Sequence, residues 1–536
     1  MRSATRRSGN ASPDDAPRSM TTLDTPPEIA HGRRVFRNTL ISGVVGVLSL
    51  LINFFVVAFA IRKLGMSSYG VFVLALSFSV SSGYLSISDL GLQSGVSRFI
   101  ADADGRGDRD RMGEVVSSAL AILICTGVVA ALILLALAVG ASHLFHVPTE
   151  SLRIALSLLF VLFAAESLFS LPGLAFYGLL QGLQRYGRIK AVDLSRQLLY
   201  TAAVVVVLGT GHGPVAFGAI TVGSSLFSAV GYAVMARLSC PELRISPHLI
   251  SRAGLRPLAG FSVWAFVAAI NGVIWAQMDK VILAAVSPIS VLTGYDIANR
   301  LQSAASYPLS FTTQAVVPAA ANLSAMESTV RLRQLLIRGT RYTLSLSFPA
   351  TIAAMILARP LIVSWVGQQY AAMSGPAQLF LVYQLVISSA TIAHTILIGR
   401  GRIRTVAAYA TMAMVVNLAI SLALVRPLGI SGVIIGTLVG YGITAPLYIR
   451  LALQELSMGV REFFRSAILP VALWAVVFAA ILAATAQLFQ PAQFLTIAAC
   501  CIPAGVFYTA GIVRFAMTPE ERRSLLGFLR QERRAP

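Results

Sequence analysis

The chain has 536 residues, of which 56% are apolar and 12% charged, and its mean hydropathy is +0.76. A soluble protein carries roughly twice that charged fraction, so this chain cannot cover a water-facing surface and most of its exterior must face lipid. The formal charge of +20 would suit nucleic acid, but the charges sit in short clusters between long apolar runs, which argues against that partner.

Residues 1–35 hold Arg, Ser, Asp and Pro without an apolar run and read as a disordered tail, with Met20 a second candidate start. The first apolar run begins near Thr39 and is too long for the core of a signal peptide. Runs of about 20 apolar residues, enough to cross roughly 30 Å of hydrocarbon, define spans. They fall near 39–61, 70–99, 115–140, 153–180, 191–209, 214–237, 257–285, 291–320, 340–365, 376–399, 404–424, 431–452, 467–489 and 494–515. The expected fold is all-α and integral to the membrane, with fourteen helices. Pro172, Pro308, Pro318, Pro349 and Pro446 interrupt runs and predict kinks.

Charge sets the orientation. Roughly 35 of the 42 Lys and Arg residues lie in the tail, the even loops and the C-terminus, as at Arg106, Arg109 and Arg111 or Arg400, Arg402 and Arg404. About five lie in the odd loops, among them Arg62, Lys63 and Arg359. The positive-inside rule places the rich set and both termini in the cytoplasm of an inner, or plasma, membrane protein. Two segments have the pattern of amphipathic surface helices: Thr518-Pro519-Glu520-Glu521 and the Leu and Arg residues after it, and Ser324 to Glu327 before Val330, Leu332, Leu335 and Leu336. Trp365 and Tyr370 read as interface anchors.

Ser79, Ser82, Ser86, Asp89, Gln93 and Ser97 recur at steps of three or four in the second run, which predicts one polar helical face. Facing lipid, Asp89 alone would cost about 2.5 kcal/mol or more, so the face should turn toward other helices or a wet cavity. The eighth run repeats the device with Asp296, Asn299, Ser303, Tyr307, Ser310 and Gln314, beside Arg300. Asp279 and Lys280 lie deep in the seventh run, and mutual salt bridges with Asp296 and Arg300 would satisfy all four. Glu166 has no sequence-local partner and, with Asp89, is a candidate for ion coupling.

Arg37 and Arg256, Asn53 and Asn271, and Tyr69-Gly70 and Gly294-Tyr295 occupy matching places in two halves. These matches predict a tail over 1–35, a six-helix lobe over 36–240 and a second six-helix lobe over 255–455. Two further helices over 465–515 and an amphipathic cytoplasmic tail over 516–536 follow. Transporters commonly bind substrate between such repeats. The candidate substrate-binding residues are Asn53, Ser82, Asp89, Gln93, Asn271, Lys280, Asp296, Asn299 and Arg300. The four cysteines and six histidines form no disulfide framework or metal motif, and no nucleotide loop or catalytic constellation is present.

Leu64-Gly65 with Ser68-Tyr69-Gly70-Val71-Phe72, Asp89-Leu90-Gly91-Leu92, Gln181-Gly182-Leu183-Gln184-Arg185-Tyr186, Asp279-Lys280 and Gly294-Tyr295-Asp296-Ile297-Ala298-Asn299-Arg300 follow in order. In that order and spacing the chain resembles bacterial polysaccharide or oligosaccharide flippases. These belong to the multidrug/oligosaccharidyl-lipid/polysaccharide exporter superfamily, whose fold is multidrug-and-toxin-extrusion-like. The resemblance implies export of an undecaprenyl-pyrophosphate-linked oligosaccharide for O-antigen, capsule or exopolysaccharide. No cofactor is implied; the implied partners are the lipid-linked oligosaccharide, the lipid bilayer, a polysaccharide polymerase and a chain-length regulator. The first span holds only Ser42, Ser49 and Asn53, and lacks the Arg-Asp pair of lipid II flippases, which disfavours a peptidoglycan precursor.

Two other functions compete. One is a cation-coupled multidrug exporter of the same fold. The other is a membrane enzyme, a polysaccharide polymerase or glycosyltransferase, which the short outer loops without paired carboxylates disfavour.

Overall fold

The structure, a computed structural model, describes residues 27–250, 270–326, 328–517, 519 and 521–523. Met1–Ser49 and Leu50–Pro536 are separate compact units, and the contacts below lie in the second. The apolar runs become helices: α1 (Pro27–Leu76, two helical stretches that meet at the non-helical Gly65, φ 76°), α2 (Leu92–Gly105), α3 (Arg109–Leu144), α4 (Glu150–Gly182), α5 (Tyr186–Gly209) and α6 (Pro214–Ser239). Then come α7 (270–286), α8 (Ser290–Ala325), α9 (Thr329–Ile356), α10 (Ala358–Trp365), α11 (Ser374–Gly399), α12 (Ile403–Leu428) and α13 (Ile430–Glu455). A short α14 (Val460–Phe463) leads through a π-turn into α15 (Leu469–Phe489), and α16 (Phe494–Gly511) follows. No strand occurs among the described residues.

Ten of the described helices are long and apolar enough to cross a membrane, and α9 with α10 makes an eleventh if that bent pair is one span. The chain is a multi-pass membrane protein. Four of the fourteen runs fall short of a straight apolar helix: 70–99, 257–285, 291–320 and 340–365. The third of these, now α8, is continuous but polar along its first half, and the second lies partly outside the described residues. In the last, the axis turns by 73° between α9 and α10, at Leu357 and not at Pro349. Pro172, Pro349 and Pro446 all sit inside continuous helices.

The run 70–99 departs most from expectation. α1 carries its first part to Leu76, turns occupy 77–83, a 3-10 turn covers Tyr84–Asp89, and α2 starts at Leu92. The cause is local chemistry. Ser77 Oγ donates to the Val73 carbonyl, Ser86 Oγ donates to the Gly83 carbonyl, and Ser79 Oγ accepts from the Ser82 amide. Short hydroxyl side chains thus compete with the helical ladder. Leu90 (φ 52°) and Gly91 (φ 71°) then adopt the left-handed conformation, which ends one element and aims the next. The serines and Asp89 therefore do not share one helical face.

The segment expected as a surface helix before the ninth span is instead the start of α9 itself. Leu332 and Leu336 are buried, Leu335 packs against them, and Val330 is exposed. The C-terminal capping segment falls largely outside the described residues. Arg341 ties the last helices to α9: it donates to the carbonyls of Ser466 (2.9 Å) and Ala516 (2.9 Å) and to the Glu521 carboxylate (3.2 Å).

Packing differs between the two ends of the helices. Near the arginine-poor end, residues of α1 and of α7, α8, α10 and α11 share one hydrophobic cluster, with Ile61 and Leu74 beside Ile297, Ile362 and Phe380. Near the arginine-rich end, helices α8, α9 and α11–α14 have their own cluster, built on Leu332, Leu336, Ile396 and Leu453, with no member from α1–α6 among the described residues. Trp365 and Tyr370 are buried at the joined end and are not lipid-facing anchors. The Trp365 indole stacks on Phe54 at 4.0 Å and its Nε1 donates to the Phe54 carbonyl at 2.8 Å.

Gly70 permits this approach, because a Cβ there would lie 2.3 Å from the Ile289 carbonyl oxygen. Gly70→Val should therefore cost about 1–3 kcal/mol through overpacking. The check is thermal unfolding of the purified protein in detergent, where the variant should melt several degrees below the parent.

Candidate functional site

The sequence-selected residues fall into two groups. The first lies on the seam between the halves. Tyr69, at a buried position near the end of α1, donates its hydroxyl to Asp296 Oδ2 on α8 at 2.8 Å. Arg300, one turn along α8, donates Nε to the same oxygen at 2.6 Å. A carboxylate shared by a phenol and a guanidinium gives charge-assisted bonds from both sides, stronger than neutral ones. Thr293 Oγ1 donates to the Met66 carbonyl at 2.6 Å, and an Arg62 Nη donates to the Ser364 carbonyl at 2.8 Å.

Deeper in the seam, Gln277 Nε2 donates to the Ser82 carbonyl at 2.6 Å, and Lys280 Nζ donates to Gln277 Oε1 at 3.0 Å. Of the four charges expected to pair mutually, only Asp296 and Arg300 do so. Asp279 instead accepts from the Tyr295 hydroxyl and from Thr437 Oγ1, each at 3.0 Å. Thr437 Oγ1 in turn accepts from Asn417 at 3.3 Å, and Ser421 donates to Asn417 Oδ1 at 2.8 Å. Burial explains this: a fully enclosed carboxylate takes whichever donors surround it, and here they are hydroxyls. Asn299 and Asn271 are half-buried on α8 and α7, and Asn53 is exposed on α1.

The second group lies among α2, α4, α5 and α6. A cavity of about 470 Å³ opens between the broken segment 77–91 and helices α4, α5 and α6. Ser86, Asp89 and Gln93 line it, so three stripe residues meet one space although no single helix carries them. Asp89 Oδ1 also accepts the Gln93 amide at 3.1 Å, which caps the start of α2. Beside the cavity, the fully buried Glu166 accepts a short hydrogen bond from Ser81 and one of 2.7 Å from Ser225. Ser81 and Ser225 line the cavity. Ser97 belongs to a smaller space of about 330 Å³ at the arginine-rich end, with Arg98, Gln181 and Gln184. Among the described residues no three His, Cys, Asp or Glu side chains gather in a way that could hold a metal.

Sequence reasoning missed Gln277, Ser81, Ser225 and, above all, Arg196, which lines the cavity from α5. The signal for Arg196 was its place five residues inside the apolar run 191–209 rather than in the basic loop before it. Gln277 is invisible to a search for charges, because its bond is to a backbone carbonyl on a distant segment.

Residues 60–375, more than half the chain, match the model of the family described as polysaccharide biosynthesis protein. The chain belongs to that family. Among solved structures this family member is similar to the lipid II flippase MurJ in an inward closed conformation: TM-score 0.69, 12% identity, 89% of this chain and 100% of that one covered. It is also similar to a multidrug resistance transporter of the multidrug-and-toxin-extrusion family in an inward-facing conformation. There the TM-score is 0.66 at 15% identity, over 76% of this chain and 94% of that one. An outward-facing structure from the same transporter family gives 0.52 at 14% identity, covering 76% and 95%. Among curated proteins none matches the sequence. The polysaccharide biosynthesis protein thus has the fold of that exporter superfamily.

The seam of the family member is open to a direct energetic test. Tyr69→Phe should cost about 1.5–3 kcal/mol, the worth of a hydrogen bond to a charged acceptor. A double-mutant cycle with Asp296→Asn should return a coupling of about 1 kcal/mol or more in thermal unfolding, since the two side chains touch.

Proposed function

We propose that the protein is a flippase. Its cargo would be undecaprenyl-pyrophosphate-linked oligosaccharide repeat units, carried across the inner membrane for cell-surface polysaccharide biosynthesis. The observation that carries this reading is the asymmetry of the lobe contacts. Polar bonds through Tyr69–Asp296, Gln277–Ser82 and Trp365–Phe54 join the halves toward the arginine-poor end. Toward the arginine-rich end the hydrophobic clusters of the two halves are separate among the described residues. With arginine-rich loops in the cytoplasm, this is an inward-facing state, in which a polar head can enter from the inner leaflet while its lipid tail stays in hydrocarbon. Rocking the lobes would exchange the closed end for the open one. No bond in the cargo is made or broken.

In this reading Asn53, Ser82, Lys280, Asn271, Asn299 and the Asp296–Arg300 pair contact or gate the path of the head, and Asp89 and Gln93 offer it hydrogen bonds from the first lobe. Glu166 or Asp89 would couple transport to an ion. The family description and the likeness to a structure named as a lipid II flippase support the reading. The polymerase and chain-length regulator of the same biosynthesis would be functional partners.

A second reading, a cation-coupled multidrug exporter, draws on one specific feature. One oxygen of the buried Glu166 has no hydrogen-bond partner among the described residues, as a cation or proton site would need. Reconstituted vesicles separate the two. The flippase reading expects a fluorescent lipid-linked oligosaccharide to reach the opposite leaflet and a cationic dye to be left alone; dye efflux that Asp89→Asn abolishes, with no lipid-linked sugar moved, would reject it. Arg300→Ala should insert normally and slow sugar translocation about tenfold, equivalent to about 1.4 kcal/mol on the barrier. Unchanged export by the inserted variant would remove Arg300 from the path.

A further inference from the structure

The cavity inside the first lobe contains a charge that its surroundings leave uncompensated. Arg196 points its side chain to the lining, and among the described residues it makes no ion pair or hydrogen bond. The nearest carboxylate in sequence, Asp193, is already engaged: it accepts from the Tyr232 hydroxyl at 2.5 Å and pairs with Lys190 at 3.4 Å. Asp89 lies on the lining but is committed on one oxygen to the α2 amide.

Depth makes the unpaired cation costly. Arg196 lies five residues, about 8 Å along α5, inside the apolar run that begins at 191, beyond the basic residues Arg185, Arg188 and Lys190. A half-buried guanidinium inside an apolar run needs water or an anion to meet it. The rest of the lining is built for hydroxyl-bearing ligands. Ser81, Ser86, Ser225 and Ser228 offer hydroxyls, Asp89 offers an acceptor, and Glu166 stands behind Ser81 and Ser225 with one buried oxygen unmatched.

We propose that this cavity is a carbohydrate subsite and that Arg196 is its specificity-determining residue, pairing with the carboxylate of an acidic sugar in the transported head. The proposal rests on the reading that the cargo is a lipid-linked oligosaccharide. A planar guanidinium fork matches a carboxylate with two parallel hydrogen bonds, which no neutral sugar hydroxyl reproduces. Pyrophosphate fits less well. It carries at least two negative charges, whereas the described lining supplies one cation, enough for a single carboxylate. It also stays near the headgroup level because the lipid tail is attached to it, whereas the sugars extend beyond it into the lobe. The volume of about 470 Å³ lies within the range of sites for small organic ligands.

The test uses the full chain in lipid nanodiscs with a Ser228→Cys reporter on the lining. Alkylation by a water-soluble maleimide is read at that peptide by mass spectrometry, so the native cysteines do not interfere. Digalacturonic acid should slow alkylation about fivefold, the scale of one charge-assisted contact, and galactobiose should leave it nearly unchanged. Protection should vanish in Arg196→Gln and persist in part in Arg196→Lys, with the unliganded alkylation rate the same in all three as proof of an intact cavity. Four results would each overturn the proposal: equal protection by galactobiose, stronger protection by inorganic pyrophosphate, no protection by any of the three, or protection that survives Arg196→Gln. This readout is equilibrium occupancy and requires no translocation. Failure of lipid-linked sugars to cross in vesicles would therefore sink the flippase reading separately.

Discussion

The hydroxyl of Tyr69 on the carboxylate of Asp296 is the contact that the rest of the architecture serves. Both groups are buried at membrane depth, where an unmatched carboxylate would be far more costly than in water. Arg300 neutralises the charge and Tyr69 fills a further acceptor position, so the pair is affordable only while the two halves touch. Gly70 allows the backbones to approach, and Thr293, Arg62 and Trp365 add bonds to main-chain carbonyls across the same interface. Each such bond contributes only about 1 kcal/mol net, because water would make its own bonds to the parted surfaces. A seam of this kind is firm in one state and cheap to exchange for another, unlike a seam of interlocked aliphatic side chains.

The broken second span gives that seam a link to the interior of the first lobe. Ser81 and Ser82 are adjacent in sequence and look in opposite directions. The first gives its hydroxyl to Glu166, and the second gives its carbonyl to Gln277 across the seam. In a regular helix the Ser82 carbonyl would point along the axis toward an amide four residues on; in the turn it is turned outward to accept from Gln277. The serine-rich stretch thus exchanges helical hydrogen bonds for connections between two distant parts of the fold.

That the chain is an all-helical, multi-pass membrane protein was legible in the sequence because it follows from hydrophobic length, which lipid enforces strictly. The breaks were not. From Ser77 to Gly91 the spacing of polar residues satisfies a helical period, yet the hydroxyls bond locally and the backbone turns. On α8 the same spacing does sit on a real helix, so periodicity alone does not separate the two cases. Asp296–Arg300 was readable as a pair four residues apart on one helix. Tyr69 as its third member, and the hydroxyl cage of Asp279 drawn from α8 and α13, depend on elements brought together from far along the chain.

Sorting the interior charges by their partners separates structure from recognition. Asp296 and Arg300 satisfy each other, Arg341 is satisfied by carbonyls and Glu521, and Asp193 by Tyr232 and Lys190. These positions are settled by the protein itself. Arg196 and the second oxygen of Glu166, at the polar cavity, are not, and neither is Oδ1 of Asp279 on α7. At Glu166, which is fully buried, folding alone would favour an apolar residue, since replacing a buried charge by a hydrophobe of similar volume is often neutral or stabilising. Their cost is offset when water or another polar group enters.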